Sequence, residues 1–160
     1  METSLQKQVV SDLRAAFADV DRRPDGDLFD VRTDYLWSES LHGGSGPWWD
    51  VPAEAIAQEP HALDQLTIEG FRFFLPAYLL WVIQNPRSTH VTIDTTISAL
   101  DLSECSEAML ASRASRFSSL SPTQRAAVAK FLTWASRDEV LDAKAAASRA
   151  LSKYWARSAE

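Results

Sequence analysis

The sequence has one cysteine, five glycines and no long uninterrupted apolar run, and these shortages exclude several classes of protein. Cys105 cannot form an internal disulfide, which fits a reducing cytoplasm, and we expect it to be a structural residue rather than a nucleophile. A membrane-spanning helix needs roughly 20 apolar residues, whereas the most apolar stretch is interrupted by Arg72. The N-terminus also lacks the apolar core of a signal peptide. We therefore expect a cytoplasmic protein without a membrane segment.

Motifs for metal binding, nucleotide binding or nucleophilic catalysis are also missing. The three histidines, His42, His61 and His90, are far apart in the sequence, and none forms an H-x-x-x-H pair. The glycine-rich residues 43–46 are not followed by a P-loop lysine, and no G-x-S-x-G elbow occurs. We accordingly expect no cofactor and no metal ion. A general acid–base pair among the many Asp and Glu residues stays open.

The negative charge lies in the N-terminal half of the chain. The net charge is −6. Residues 1–80 contain 14 acidic and 6 basic residues, a net charge of −8, whereas residues 81–160 contain 8 acidic and 10 basic residues, a net charge of +2. This asymmetry argues against nucleic-acid binding and favours a basic protein partner. A merely solvated acidic surface is the simpler alternative.

Residues 63–85, LDQLTIEGFRFFLPAYLLWVIQN, form the stretch around which we expect the chain to fold. Thr67 is a suitable N-cap and the Asn85–Pro86 pair a suitable stop, which predicts a helix over residues 67–85. Apolar residues cover most of its circumference, and such a helix is normally enclosed by other elements. Pro76 removes one intrahelical hydrogen bond, which predicts either a kink or two helices meeting at Leu75–Pro76.

Apolar spacing and capping patterns predict six further helices. They cover residues 4–20, 51–58, 94–100, 103–117, 122–136 and 138–156. The spacing predicts that Asp50 caps the helix that ends at residue 58, and that Ser103 caps the helix that ends at residue 117. In the second of these two helices it places Met109, Leu110, Ala114 and Phe117 toward the core. Residues 91–93 also alternate weakly like a strand, but a lone strand would have no partner, so the helix is favoured.

The fold class that follows is all-α, with one helical domain over residues 1–160. We expect six or seven helices around the buried central helix. A long irregular segment, residues 21–50, precedes that helix and has room for one short strand.

Four blocks of the sequence resemble a known family. They are the run Glu69–Leu80 with its core FRFFLPAY at Phe71–Tyr78, the block LSPTQRAAVAKFL at Leu120–Leu132, the terminal ALSKYW at Ala150–Trp155, and PWWDVP at Pro47–Pro52. The pattern resembles a family of small bacterial proteins classed as a domain of unknown function, over roughly residues 47–155. The resemblance supports the fold and implies no catalytic residues. Such proteins are similar to the small acidic immunity partners of bacterial toxins, which is an analogy at the level of the whole protein.

An aromatic group before the central helix is the candidate binding surface. Its members are Tyr35, Trp37, Trp48 and Trp49, and the acidic neighbour Asp50 belongs with them. Tryptophan and tyrosine dominate interface hot spots. The alternative is that these rings fold back and cover the central helix.

Two functions from different classes are compatible with the sequence. The first is a non-enzymatic binding or inhibitory protein, immunity-like in character, whose acidic aromatic surface meets a basic protein. The alternative is an enzyme with an unrecognised site, in a cleft between residues 21–50 and the central helix. The lack of motifs favours the first. A third interpretation is that the aromatic segment mediates homodimerisation.

Overall fold

The computed structural model describes residues 3–20, 28–30, 41, 46–103, 105–138 and 141–158. Within these residues there are seven α-helices: α1 Ser4–Ala16, α2 Ala53–Gln58, α3 Ile68–Gln84, α4 Thr92–Ser98, α5 Glu107–Ser119, α6 Pro122–Arg137 and α7 Lys144–Lys153. Short 3-10 helices cover Trp48–Asp50, Ala62–Gln65 and Trp155–Ser158. The all-α prediction is confirmed. That residues 1–160 form one domain stays a prediction.

The central helix α3 is enclosed as the sequence predicts. Every residue from Gly70 to Ile83 is buried except Arg72. The Thr67 hydroxyl accepts a hydrogen bond from the Gly70 amide, so Thr67 is the N-cap. Helices α1, α2, α4 and α5 all pack against α3. A helix that is apolar on all sides needs this many neighbours, because each exposed face would leave apolar area in water.

Pro76 lies inside one continuous helix. The alternative that two helices meet at Leu75–Pro76 is therefore wrong. A proline in a helix interior costs about 3 kcal/mol, since it removes one hydrogen bond and crowds the preceding turn. Burial of a single large apolar side chain contributes about 1.5–3 kcal/mol. The two large buried side chains Phe74 and Tyr78, which flank Pro76 within one turn, are thus sufficient to offset the penalty.

Two predicted capping boxes are present. In α1 the Thr3 side chain accepts from the Gln6 amide while the Gln6 side chain accepts from the Thr3 amide. Ser121 and Gln124 form the same reciprocal pair at the start of α6, with Pro122 as the first helical residue. Helix α6 packs against both α1 and α7.

Several predicted helix boundaries are wrong. Helix α1 ends at Ala16 rather than at residue 20. The carbonyl of Phe17, the next residue, accepts a hydrogen bond from the Trp48 indole, and Leu5 in the first turn of α1 is 48% exposed. Pro52, not Asp50, occupies the N-cap position of α2, since Asp50 belongs to a separate 3-10 turn. The last helix begins at Lys144 rather than residue 138. Its buried face consists of alanines, Ala147 and Ala150.

Residues 28–30 cross the start of α3 at very short range. Asp30 donates its amide hydrogen to the Gln65 carbonyl over 2.8 Å, and Thr67 donates to the Leu28 carbonyl over 2.9 Å. These bonds belong to one isolated antiparallel bridge between Phe29 and Leu66, and residues 31–40, where the short strand is also expected, lie outside the described residues. A Cβ atom on Gly70 would lie 2.1 Å from the Leu28 carbonyl oxygen. Glycine is needed at position 70 because two backbones meet there.

We predict that Gly70→Ala destabilises the protein by about 1–3 kcal/mol, the typical penalty of overpacking. Without the contact to Leu28, alanine would stabilise a helix interior by about 1 kcal/mol relative to glycine, so the sign of the change is diagnostic. Urea unfolding measures the difference. Glu69→Ala, at the preceding exposed position, is the control and should change stability by less than about 1 kcal/mol. Equal or greater stability of Gly70→Ala would contradict the close crossing.

An ion pair joins α1 to α6 at the surface. Lys130 Nζ lies 2.9 Å from Asp12 Oδ2, and the Gln8 side chain also donates to Asp12. The hydrogen bond from Lys130 is the main reason that the pKa of Asp12 lies below its ordinary value. A carboxylate with a lowered pKa in the folded state stabilises that state above the pKa of the unfolded chain, and loses this contribution as the pH falls through the folded-state pKa.

We expect Asp12→Asn to lower the free energy of unfolding by about 0.2–1 kcal/mol at neutral pH and low salt, the range of exposed ion pairs. The difference from the wild type should shrink as the pH falls from about 4 through the lower folded-state pKa of Asp12, below which Asp12 is protonated in both states. Denaturant unfolding over a pH series measures it. A difference that persists unchanged at acid pH would show that the ion pair is not its cause.

Candidate functional site

The predicted aromatic surface is only partly described. Tyr35 and Trp37 lie outside the described residues. Trp48 is fully buried, and its indole Nε1 donates to the Phe17 carbonyl over 3.1 Å. Trp49 is 41% exposed and Asp50 is exposed. Trp48 is thus a core residue, while Trp49 and Asp50 are described members of the group that solvent reaches.

Trp49 is held in place by its buried neighbour. The Trp48 and Trp49 ring centroids are 5.6 Å apart with an interplanar angle of 82°, an edge-to-face contact. Beside them lies a hollow of about 120 Å³, lined mainly by apolar residues of α2 and α3, with Arg14 and Gln84 among its polar lining residues. The surface therefore combines a large aromatic ring and an adjacent small apolar recess.

The predicted inward face of α5 is buried only in its second half, where Phe117 is buried as predicted and Ala114 is half-buried. The prediction that Met109 and Leu110 face the core is wrong, since they are 42% and 40% exposed. Arg113 and Arg116 are buried instead, together with Phe117. Ser103 is not the N-cap either, because its hydroxyl donates to the Asp101 carboxylate over 2.7 Å. Ser106 caps the helix, three residues later than predicted.

Buried ionic contacts of Arg113 explain this orientation. Its Nε and Nη2 atoms donate to the two Asp64 carboxylate oxygens over 2.9 and 2.8 Å, a bidentate pair. Its Nη1 atom donates to the Asp101 carbonyl and to Cys105 Sγ. Burial disfavours the charged guanidinium, but the hydrogen bonds and charge of Asp64, with the Cys105 thiol, outweigh it. The pKa of Arg113 is therefore above its ordinary value.

Arg116 fastens the same helix to the backbone that precedes α3. Its Nε and Nη2 atoms donate to the Leu66 carbonyl over 3.0 and 2.8 Å, and Nη2 also donates to the Asp64 carbonyl. Because a buried guanidinium without acceptors is very unfavourable, these contacts fix which face of α5 turns inward.

A groove runs between α5 and the segment that precedes α3. We call it the α5 groove, formed by residues 61–69 on one side and residues 108–116 on the other. It consists of two hollows, of about 330 and 770 Å³, which both include Ser112 and Arg116 in their linings. Met109 lines the first hollow and Ile68, 41% exposed, lines the second.

Among the described residues, the exposed charges along the α5 groove are acidic. Glu69 lines the groove and is exposed, Asp30 lines it and is half-buried, and Glu107 is exposed in the first turn of α5. The basic residues of the lining, Arg113 and Arg116, are buried and turn their donors to the protein. The groove therefore presents negative charge beside apolar side chains.

Histidine and cysteine side chains do not assemble a metal site in the described part of the chain. His61 lines the first hollow of the α5 groove, whereas His90 contacts Trp81 with ring centroids 5.9 Å apart. His42 lies outside the described residues. Among the residues that the structure covers, no group of three His, Cys, Asp or Glu side chains could hold a metal ion. None of the described helices is both long and apolar enough to cross a membrane.

Comparison with known proteins supplies a family. A family model described as a family of unknown function, DUF6714, matches residues 5–159. The chain belongs to the DUF6714 family. No curated protein and no solved structure matches the chain significantly. The predicted resemblance to a family of unknown function is confirmed.

Sequence reasoning missed the groups that shape this site of the DUF6714 protein. Arg113, Arg116 and Phe117 follow one another at helical spacing, so they share one face of α5. Met109 and Leu110 precede Arg113 by four and three positions, so they share this face, which is exposed in the first turns of α5 and buried from Arg113 onward. Apolar spacing therefore selects the right face, but it does not show where along the helix that face becomes covered.

We predict that Asp64→Asn destabilises this DUF6714 protein by about 2–3 kcal/mol, because Arg113 loses its counter-charge. The loss should be smaller than the 3–5 kcal/mol of a fully buried pair, since the Asp64 side chain is 31% exposed. Thermal and urea unfolding measure it. Asp94→Asn, at an exposed carboxylate, is the control. The double variant Asp64→Leu/Arg113→Met should recover most of the stability, and equal loss in the control and in Asp64→Asn would contradict the anchoring role.

Proposed function

We propose that the protein is a non-enzymatic binding protein that contacts a basic protein through the surface around Trp49 and Asp50. The exposed Trp49 indole, seated edge-to-face on the buried Trp48 ring, is the observation that carries the proposal. Tryptophan is the residue type most enriched in interface hot spots.

The local geometry supports a preorganised contact. Trp48 is fixed by its hydrogen bond to the Phe17 carbonyl, so Trp49 rests on a rigid support. A side chain held in place before binding loses little conformational entropy when the complex forms. The neighbouring 120 Å³ hollow can accept an apolar side chain of the partner beside the Trp49 ring.

The charge distribution supports a basic partner. Asp50 and Glu54 are both exposed, and residues 1–80 carry a net charge of −8. Opposite charge on the partner would speed association and make it sensitive to salt. Arg14, at the same hollow, is the local basic group. In an inhibitory role the protein would cover a functional basic surface of its partner.

The enzymatic alternative would place a site beside the central helix, with strongly perturbed titrating groups. The displaced pKa values of Asp12 and Arg113 are both accounted for by ion pairs. Neither is therefore a sign of acid–base catalysis.

We predict that the wild-type protein, used as bait in its native cytoplasm, captures a stoichiometric basic protein that high salt releases. Trp49→Ala should weaken the affinity for that protein about 30-fold, the equivalent of the 2 kcal/mol that defines a hot spot. Mass spectrometry identifies the captured protein, and calorimetry on the purified pair measures the affinity.

Val91→Ala is the matched control, since Val91 is an exposed apolar residue on α4's border and outside the Trp49 surface. It should bind as the wild type does. Two results would contradict the proposal: no captured protein at low salt, or a captured protein whose affinity falls equally in both variants. Sedimentation of the purified chain alone tests the competing idea that Trp49 mediates a homodimer.

A further inference from the structure

We infer that the α5 groove binds a basic amphipathic helix of another protein. This inference goes beyond the proposed function, because it concerns a separate surface and does not depend on the contact at Trp49.

The exposed half of α5 is the first reason. Residues 106–112 are exposed without interruption, yet they include the apolar run Ala108–Ala111. A surface helix normally turns such residues inward. Here they remain exposed, although Arg113 and Phe117 on the same face of the helix are buried. Met109 lines the smaller hollow and Ile68 the larger one, so two exposed apolar side chains border a preformed recess.

The shape of the groove wall favours a helical occupant. The α5 residues that line the larger hollow are all small: Ala108, Ala111, Ser112 and Ser115. They recur at three- and four-residue spacing, so they lie on one side of the helix. Small side chains allow a second helix to approach at the short end of the usual interaxial distance of about 8–10 Å. Met109 and Ile68 flank this flat strip and can contact apolar side chains of the incoming helix.

Charge complementarity selects a basic occupant. The exposed carboxylate Glu69 lines the groove, and Glu107, also exposed, stands at the start of its helical wall. The buried arginines are already engaged by Asp64 and by backbone carbonyls. Lysine or arginine side chains on the polar face of the occupant would meet these acids. A second copy of this chain, with a net charge of −6, would be repelled.

The test uses three synthetic peptides as probes of the full-length protein. The first carries leucines at helical spacing with lysines on the other face, the second replaces every lysine by glutamate, and the third scrambles the lysine peptide. Fluorescence anisotropy should show that the first binds at least about tenfold more tightly than the others, because it alone has both the apolar stripe and the positive charge. The binding should weaken at high salt.

Matched variants locate the binding. Met109→Ser should weaken the lysine peptide about tenfold, whereas Leu5→Ser, which alters an equally exposed residue of α1, should not. Glu69→Lys should weaken it several-fold more than Asp94→Lys, although both replace a first-turn carboxylate and change the net charge equally. Trp49→Ala should leave this binding unchanged, which separates the groove from the proposed contact at Trp49.

Three outcomes would overturn the inference. Equal binding of the ordered and scrambled lysine peptides would show charge attraction without a helical site. Equal effects of Met109→Ser and Leu5→Ser would place the binding elsewhere. A concentration-dependent dimer that Met109→Ser abolishes, with no peptide binding, would identify a second copy of the chain as the occupant.

Discussion

The pairing of two buried guanidinium groups with the backbone and carboxylate of residues 64–66 decides how the outer part of the molecule is arranged. Arg113 and Arg116 each have several acceptors within 3.0 Å. Removing a guanidinium from water without such acceptors costs several kcal/mol, more than the exposure of one or two apolar side chains. The position of α5 against residues 64–66 is therefore set by hydrogen bonding and charge, together with the burial of Phe117 on the same face.

This constraint links the core to the surface. The segment that receives the arginines also leads into the N-cap of α3 and pairs with residues 28–30, so one stretch of backbone joins the central helix, α5 and the isolated bridge. Its carbonyl groups are satisfied by side chains and not by a regular sheet. Met109 and Leu110, one turn before Arg113, stay exposed, and Met109 lines the groove that these contacts border.

The parts of the fold that could be predicted are those that local chemistry determines. The caps at Thr3, Thr67 and Ser121 each depend on residues three positions away, and the enclosure of α3 follows from its apolar circumference. The contact of α5 with Asp64 and the closeness of Leu28 to Gly70 could not be predicted, because each joins residues that are distant in the sequence. Asp64 and Arg113, for example, are 49 positions apart. In the candidate surface, apolar character identified Trp48 and Trp49 together, but only the hydrogen bond to the Phe17 carbonyl shows which of the two is core.

Peroxide oxidation of Met109 is the most direct test of the claim that α5 turns its apolar residues outward. The protein is treated in its native state and, for reference, unfolded in denaturant, and the peptide that contains Met109 is followed by mass spectrometry. Because a thioether oxidises as fast as oxidant reaches it, the structure predicts that Met109 reacts in the native state within a few-fold of the unfolded rate. Strong protection of Met109 in the native state would contradict the exposure of the first turns of α5, and would mean that its inward face is covered along its whole length.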